Sequence, residues 1–283
     1  MVSLDIKEFQ TVVWDFYSKN KRDFPWRQTK DPYKILVSEI MLQQTQAPRV
    51  VDYYKKWLKR FPDIQSLASA SFAQIYPFWQ GLGYNRRALA LQKLAKKVTQ
   101  KYQGKLPLSI PLLEELPGVG PYTARAVSIF AHNRPITCLE TNIRRVFIHH
   151  FFFDRRSLGE GGSESELVTD KDILEIAKQA LPAGKARQWH WALMDYGAYL
   201  KSVVKNPNRR HKNYSVQSKF EGSLRQIRGS ALRILSVGTM EEKELFECLK
   251  KATGQTKERV KKVILALEKE GLIRADKNGY SLY

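Results

Sequence analysis

Two glutamates stand in settings that change what a carboxyl group can do. Glu39 lies in the run Tyr33-Lys34-Ile35-Leu36-Val37-Ser38-Glu39-Ile40-Met41-Leu42-Gln43-Gln44-Thr45, where Ile35, Leu36, Met41 and Leu42 surround it with apolar positions. Burial there disfavours the charged form and keeps a proton available for donation near neutral pH. The other reading is a buried, hydrogen-bonded structural glutamate, although acids are rarely buried without a task. Glu140 lies in Thr137-Cys138-Leu139-Glu140-Thr141-Asn142-Ile143-Arg144-Arg145, just before an apolar helical run. The helix dipole favours an anion at that start, and Asn142, Arg144 and Arg145 are suited to phosphate oxygens. Its alternative role is an N-terminal cap, for which Asp or Thr is commoner.

A third feature needs no side-chain chemistry. Leu116-Pro117-Gly118-Val119-Gly120-Pro121-Tyr122-Thr123-Ala124 places a Gly-x-Gly between two apolar helical runs. Both glycines can take positive φ and lack a Cβ, so successive N–H groups at the next helix start can point at one anionic oxygen. A tight interhelical turn with no ligand is the competing reading.

These residues sit in a strongly basic chain. The 283 residues carry 48 Lys+Arg against 28 Asp+Glu, a formal charge of +20. A polyanion is the expected partner; a basic surface that only keeps the protein soluble or attracts membrane lipids is the alternative that charge alone leaves open. No run of 18 apolar residues exists, which excludes a membrane-spanning helix. The N-terminus lacks a signal pattern, so the expected location is cytoplasmic, nucleoid-associated in a bacterium. Cys138 and Cys248 are the two cysteines, far apart and outside any Cys-x-x-Cys, so neither a metal knuckle nor a disulfide is expected.

The elements that position these groups read as helices. Apolar spacing predicts them at 9–17, 33–42, 50–60, 72–79, 85–102, 110–116, 122–132, 143–152 and 189–199, joined by short Pro- and Gly-rich connections. The first two-thirds is therefore expected to be all-α, with a Gly/Ser/Glu-rich surface loop at Ser157–Ser165. Between Lys201 and Arg233 nine Lys or Arg face one acid, Glu221. Beyond lie three predicted helices at 224–235, 241–252 and 256–270. A hairpin with an Asn278-Gly279 turn then completes a winged-helix pattern. Its third helix carries Lys257, Arg259, Lys261 and Lys262 and is suited to a major groove; packing on a protein surface is the alternative.

The residues resemble the helix-hairpin-helix (HhH-GPD) DNA glycosylases, most closely the MutY-type adenine DNA glycosylases. The resemblance covers about residues 5 to 200. It rests on Phe24-Pro25-Trp26-Arg27, the Ser38–Thr45 segment, Gly81-Leu82-Gly83-Tyr84, the Leu116–Thr123 hairpin and Glu140-Thr141-Asn142, in that order. It implies a fold of two helical subdomains: a six-helix barrel at 24–133, and a second subdomain from 1–23 with 134–219. The winged helix would follow at 220–283.

Position by position, the resemblance implies that Glu39 protonates the departing base and orients water. Glu140 stands where the family has an aspartate that stabilises the sugar cation. Breaking an N-glycosidic bond needs both a better leaving group and relief of positive charge on C1′. Gln44 and Tyr84 occupy the slots that fill or wedge the stack beside the extruded nucleotide. Arg22, Trp26 and Asp195 would line the base pocket. The DNA contacts would come from Arg27, Gln43, Thr45, Gly118, Val119, Gly120, Arg144 and Arg145. Tyr122 replaces the lysine of strand-nicking relatives, so no Schiff base and no lyase activity are expected.

Three departures qualify the resemblance. Residues 202–220 lack the family's four cysteines, so no iron–sulfur cluster, metal or other cofactor is expected. Arg209, Arg210 and Lys212 are expected to take over its phosphate contacts. Glu140 and Asp195 exchange a methylene relative to the family's Asp and Glu, which shifts each carboxylate by about 1 Å, enough to alter base choice. A winged helix replaces the domain that reads 8-oxoguanine. The expected function is a monofunctional, monomeric glycosylase acting on double-stranded DNA with a mismatch or lesion, removing adenine opposite 8-oxoguanine or guanine. Removal of thymine or uracil opposite guanine and a noncatalytic DNA-binding role are the alternatives.

Overall fold

The computed structural model describes residues 5–152, 167–216 and 219–283, and the insert expected at Ser157–Ser165 lies outside them. Among the described residues the chain is helical apart from one two-stranded sheet and two isolated bridges. It divides into two compact units, Met1–Ile35 with Gly120–Val216 and Leu36–Val119 with Gln217–Tyr283.

The first unit is built on α1 (Ile6–Asn20), α8 (Pro121–His132), α9 (Thr141–Phe151), α10 (Asp170–Gln179) and α11 (Ala186–Val203). α11 is the centre, packed by α1, α8 and α9. Phe9 of α1 is fully buried and meets Phe151 at 4.9 Å, Phe147 at 5.3 Å and Trp189 at 5.9 Å between centroids. Offset or edge-on rings at such distances add to the area they bury. α9 comes so close to α11 that a Cβ on Gly197 would lie 2.2 Å from the Asn142 carbonyl oxygen. Residues 24–35 and 120–133 group with this unit rather than with the barrel segment where the expected division puts them. Arg22 and Arg27 are tied to α11 at Asp195, and α8 packs on α11.

The second unit holds α3 (Ala47–Arg60), α4 (Ile64–Ser69), α5 (Phe72–Ile75), α6 (Arg86–Tyr102) and α7 (Ile110–Glu114). α2 (Pro32–Leu42) begins in the first unit and continues into this one. The second unit also holds α12 (Leu224–Leu235), α13 (Glu242–Thr253), α14 (Lys257–Lys269), β1 (Ile273–Asp276) and β2 (Gly279–Leu282). Trp57, Phe61, Phe72 and Trp79 are fully buried among the earlier helices, and Ile227, Leu245, Val260 and Leu272 among the last three. Three helices and an antiparallel hairpin confirm the winged-helix pattern.

Three local expectations change. α4 and α10 have no counterpart among the predicted helices, although each opens on a capping box, Asp63 with Ser66 and Thr169 with Asp172. The terminal hairpin pairs Asp276 with Gly279, so its central residues are Lys277 and Asn278 rather than Asn-Gly. Neither has positive φ; Gly279 does, at +117°, where a Cβ would lie 2.2 Å from the Met240 carbonyl oxygen. The glycine is required by that close approach as well as by the turn.

Candidate functional site

In the second unit the site is made by the end of α2 and the loop before α6. α2 starts on Asp31, whose Oδ1 accepts from the backbone N–H groups of Tyr33 and Lys34 at 2.8 and 3.3 Å. That start puts Glu39 at 5% exposure between Ser38 and Ile40, each at 1%. The enclosed setting read from its apolar neighbours is present. α2 ends at Leu42, and Gln44 follows it exposed and at φ +57°. Tyr84 is the matching residue of the second loop, at φ +48° and 41% exposed. Its hydroxyl accepts from Arg225 of α12 at 3.3 Å. The loop is held at its base: Tyr53 donates to the Gln80 carbonyl at 3.0 Å, and Trp79 Nε1 to that of Gly83 at 3.1 Å.

The glycine turn follows α7. Gly118 takes φ +79°, and a Cβ there would stand 2.8 Å from that of Ala90 on α6, so positive φ and close packing both select glycine. Val119 is buried, and its N–H returns to the Leu116 carbonyl at 3.1 Å. α8 then opens on Gly120 as N-cap with Pro121 at the first turn and no side-chain cap. Its leading N–H groups have no acceptor within the helix, which is the geometry an anion requires. Tyr122 is half-buried in that first turn.

In the first unit Glu140 is the N-cap of α9. Oε1 accepts from the backbone of Asn142 at 2.8 Å and of Ile143 at 2.9 Å, and Oε2 from the Asn142 side chain at 3.1 Å. Capping, set aside above as commoner for Asp or Thr, is therefore one role Glu140 performs. Burial pushes its carboxyl up, opposed by those backbone donors and by the charges of Arg145 and Arg144. The approach to α9 is fixed by His190, whose Nδ1 donates to the Ala186 carbonyl at 2.7 Å. Its Nε2 accepts from the Cys138 N–H at 3.3 Å.

Both members of the basic pair beside Glu140 are engaged by protein partners, and one of them is turned inward. Arg145 is 3% exposed and gives Nη1 to Asn142 Oδ1 and the Gly197 carbonyl, both at 2.7 Å. It clamps α9 to α11, so a phosphate contact from it requires those bonds to break. Arg144 forks onto Asp170 at 2.6 and 2.7 Å. Asp170 also accepts from His211 at 3.0 Å. Nearby, Val168 pairs with His211, Asn208 donates to the Thr141 carbonyl at 3.0 Å, and Arg210 to that of Phe152. The segment that lacks cysteines is thus tied down by side chains, leaving Arg209 and Lys212 exposed.

Asp195 is 2% exposed and receives the Arg22 backbone at 2.9 Å, Arg22 Nε at 2.6 Å and both terminal nitrogens of Arg27 at 2.8 Å. Those bonds fill the acceptor positions of a carboxylate, so contact with a base from Asp195 requires an arginine to yield. Arg22 is the freer of the two, with its side chain 37% exposed against 8% for Arg27. Trp26 is buried and stacked on Phe24 at 4.9 Å and 10°. Beside them an open recess of about 330 Å³ is lined by Tyr17, Arg22, Arg27 and Trp191, among others. Sequence reasoning placed Arg27 among the DNA contacts and missed Arg87, whose role is argued below. In the C-terminal module Lys257, Arg259, Lys261 and Lys262 are all exposed on α14.

No helix among the described residues is long and apolar enough to cross a membrane, and no group of three His, Cys, Asp or Glu there is spaced to hold a metal ion. Residues 37–166 match the family described as HhH-GPD superfamily base excision DNA repair protein. An adenine DNA glycosylase of Mycobacterium tuberculosis is 33% identical over 249 residues, covering 81% of this chain and 78% of the relative. A thymine/uracil-DNA glycosylase of Methanothermobacter thermautotrophicus is 33% identical over 196 residues, covering 69% and 85%. A solved thermostable thymine-DNA glycosylase superposes with a TM-score of 0.61 at 29% identity over 73% of this chain and 92% of that one. Other relatives are longer: the match spans only 38% of the mouse adenine DNA glycosylase.

Proposed function

Because the chain belongs to the HhH-GPD superfamily of base excision DNA repair proteins, we propose that it is a monofunctional DNA glycosylase that removes adenine mispaired with 8-oxoguanine or guanine. The observation that carries this reading is Glu39, an acid at 5% exposure beside a loop that presents Gln44 outward. In this reading Glu39 gives its proton to the departing base and then orients the attacking water, an assistance worth about 10²- to 10⁴-fold. Glu140 supplies negative charge against the cationic sugar, and Asn142 is oriented by it. The hairpin N–H groups and the exposed cations of α14 take phosphates. Gln44 and Tyr84 fill the stack that the extruded nucleotide leaves, at a cost of a few kcal/mol.

Tyr122 brings no amine to the hairpin, which supports hydrolysis without strand cleavage. With two distant cysteines in the chain, the enzyme is proposed to work without an iron–sulfur cluster, as a monomer. The cytoplasm or nucleoid is the proposed location.

Thymine or uracil opposite guanine is the second reading, favoured by the likeness to the archaeal thymine/uracil-DNA glycosylase and to the solved thymine-DNA glycosylase. Single-turnover base release from duplexes carrying A:8-oxoguanine, A:G, T:G and U:G, with and without alkali, separates the two. Release confined to adenine pairs, dependent on alkali for strand scission and lost in Glu39→Gln, is the expected outcome. Release of thymine or uracil instead assigns the second reading. Strand scission without alkali overturns the absence of lyase activity.

A further inference from the structure

Arg87 is a buried cation that joins two loops. It lies on α6 at 9% exposure. Its Nη1 donates to the carbonyls of Ile40 at 2.8 Å and Met41 at 2.9 Å and to that of Gln43, all at the C-terminal end of α2. Its Nη2 donates to the carbonyls of Gly83 at 3.0 Å and Leu82 at 3.3 Å and to Thr45 Oγ1 at 3.3 Å. The guanidinium carbon stands 5.2 Å from the centre of the Trp79 ring and 5.5 Å from that of Tyr84. Its charge is met by carbonyl dipoles at a helix C-terminus and by two aromatic faces rather than by a carboxylate. Burial draws its pKa down to about 10, which leaves it charged at neutral pH.

Ending a helix does not require a buried arginine, whose desolvation is costly. The two segments it grips share a different property. Each presents an exposed residue other than glycine in the left-handed region, Gln44 at φ +57° and Tyr84 at φ +48°. Such conformations persist only where the surroundings over-determine them. One planar fork supplies that constraint to both loops at once, directly behind the two side chains. Lysine cannot substitute, because its ammonium is a point donor without the reach of a fork.

We propose that Arg87 is a positioning residue that locks Gln44 and Tyr84 into one rigid double wedge for entering a DNA duplex. The proposal rests on the reading of Gln44 and Tyr84 as stack-filling side chains. It makes the relative placement of two loops, separated by about forty residues in sequence, the property of a single side chain.

The test uses the full-length protein and a duplex with 2-aminopurine beside the target base, whose fluorescence rises on unstacking. Arg87→Lys is expected to bind duplex within twofold of wild type, to lose most of the fluorescence rise, and to slow single-turnover base release tenfold or more. Combined with Tyr84→Ala it should be no slower than the worse single variant by more than twofold, because both remove one device. Multiplying effects, or an Arg87→Lys variant that unstacks the duplex normally, overturn the proposal. If Gln44→Ala and Tyr84→Ala themselves unstack the duplex normally, the wedge reading fails on its own, independently of Arg87. Hydrogen exchange on the free protein covers the case of poor folding, using Thr45→Val, which removes one anchor. Peptides containing 43–45 and 82–84 should then exchange faster together while α14 keeps its protection; acceleration of one loop alone, or of the whole unit, overturns the proposal.

Discussion

Arg228 closes on Glu270 with two nitrogens, Nη1 reaching Oε1 at 2.9 Å and Nη2 reaching Oε2, so that α12 is pinned to the residue that ends α14. Arg86 at the start of α6 shares the same carboxylate. The side chains of Glu270 and Arg228 are 15% and 21% exposed, whereas that of Arg86 is 69% exposed and contributes little on its own.

This arrangement predicts an acid-sensitive C-terminal module. Burial alone would raise the Glu270 carboxyl, but the hydrogen bonds and charges of Arg86 and Arg228 outweigh it and hold the group down to about 2, from 4.5. A carboxyl depressed in the folded state contributes fully above its unfolded pKa and loses that contribution as pH falls through the folded one. Protection of α12 and α14 against hydrogen exchange should therefore decline between about pH 4.5 and 2. Glu270→Gln should show reduced protection already at pH 7 and a flatter profile below 4.5. An unchanged acid profile in the variant would assign the loss to other groups.

Glu140 predicts a separation of two roles. Glu140→Ala removes the cap of α9 and should cost about 1 kcal/mol of stability, within the usual range for lost caps. Glu140→Asp keeps a good capping group and should restore that stability. If the carboxylate also opposes charge on the sugar, Glu140→Ala slows single-turnover release at least tenfold at a temperature where it remains folded, while duplex affinity holds. Release at the wild-type rate from the folded alanine variant would leave the residue as a cap alone.

The contrast between Glu39 and Arg145 shows what was legible. Glu39 is read correctly as enclosed because its helical neighbours are apolar, and burial along a helix follows from that pattern. Arg145 is expected from the sequence to face a phosphate, whereas its side chain runs inward to the Gly197 carbonyl, 52 residues on, and no local pattern records that partner. Arg87 escapes notice for the same reason: in Asn85-Arg86-Arg87 the two arginines look alike, yet one is exposed and the other holds two loops. The long helices and the winged module are visible in apolar spacing. α4 is only six residues long, too short for an apolar face to stand out beside its capping box, whereas α10 carries both a capping box and a face, Ile173 and Ala177 one turn apart, that goes unread.

His190 predicts a second pH dependence, nearer neutrality. Burial pushes its imidazole down to about 4 from 6.5, against the Ala186 hydrogen bond, which favours the charged form. The folded state therefore holds it neutral, with Nε2 free to accept from Cys138. An imidazole depressed on folding contributes fully above pH 6.5, and that contribution is lost as pH falls towards 4, on the order of 3 kcal/mol in all. Thermal unfolding from pH 7 to 4 should show a declining midpoint. His190→Gln should be less stable at pH 7 yet flatter across that window, and an equal slope in both proteins would rule His190 out as the source.

The exposed cations of α14 predict a salt signature for the winged helix. Lys257, Lys261 and Lys262 lie on its solvent face, while Val260, Val263 and Ile264 are buried, so substituting the lysines leaves the core untouched. If each neutralises a phosphate, the triple change to Gln removes counterion release of about 0.9 per contact. The slope of log K against log salt should then become shallower by roughly 2 to 3. Affinity should fall alike for target and undamaged duplex, because phosphate contacts carry no base information. Single-turnover release at saturating protein should keep its wild-type rate, since Glu39 and the loops behind Gln44 and Tyr84 are unaltered. A slope equal to wild type would remove DNA from the faces this helix serves and leave the module's contacts of Arg225 with Tyr84 and Glu270 with Arg86 as its contribution.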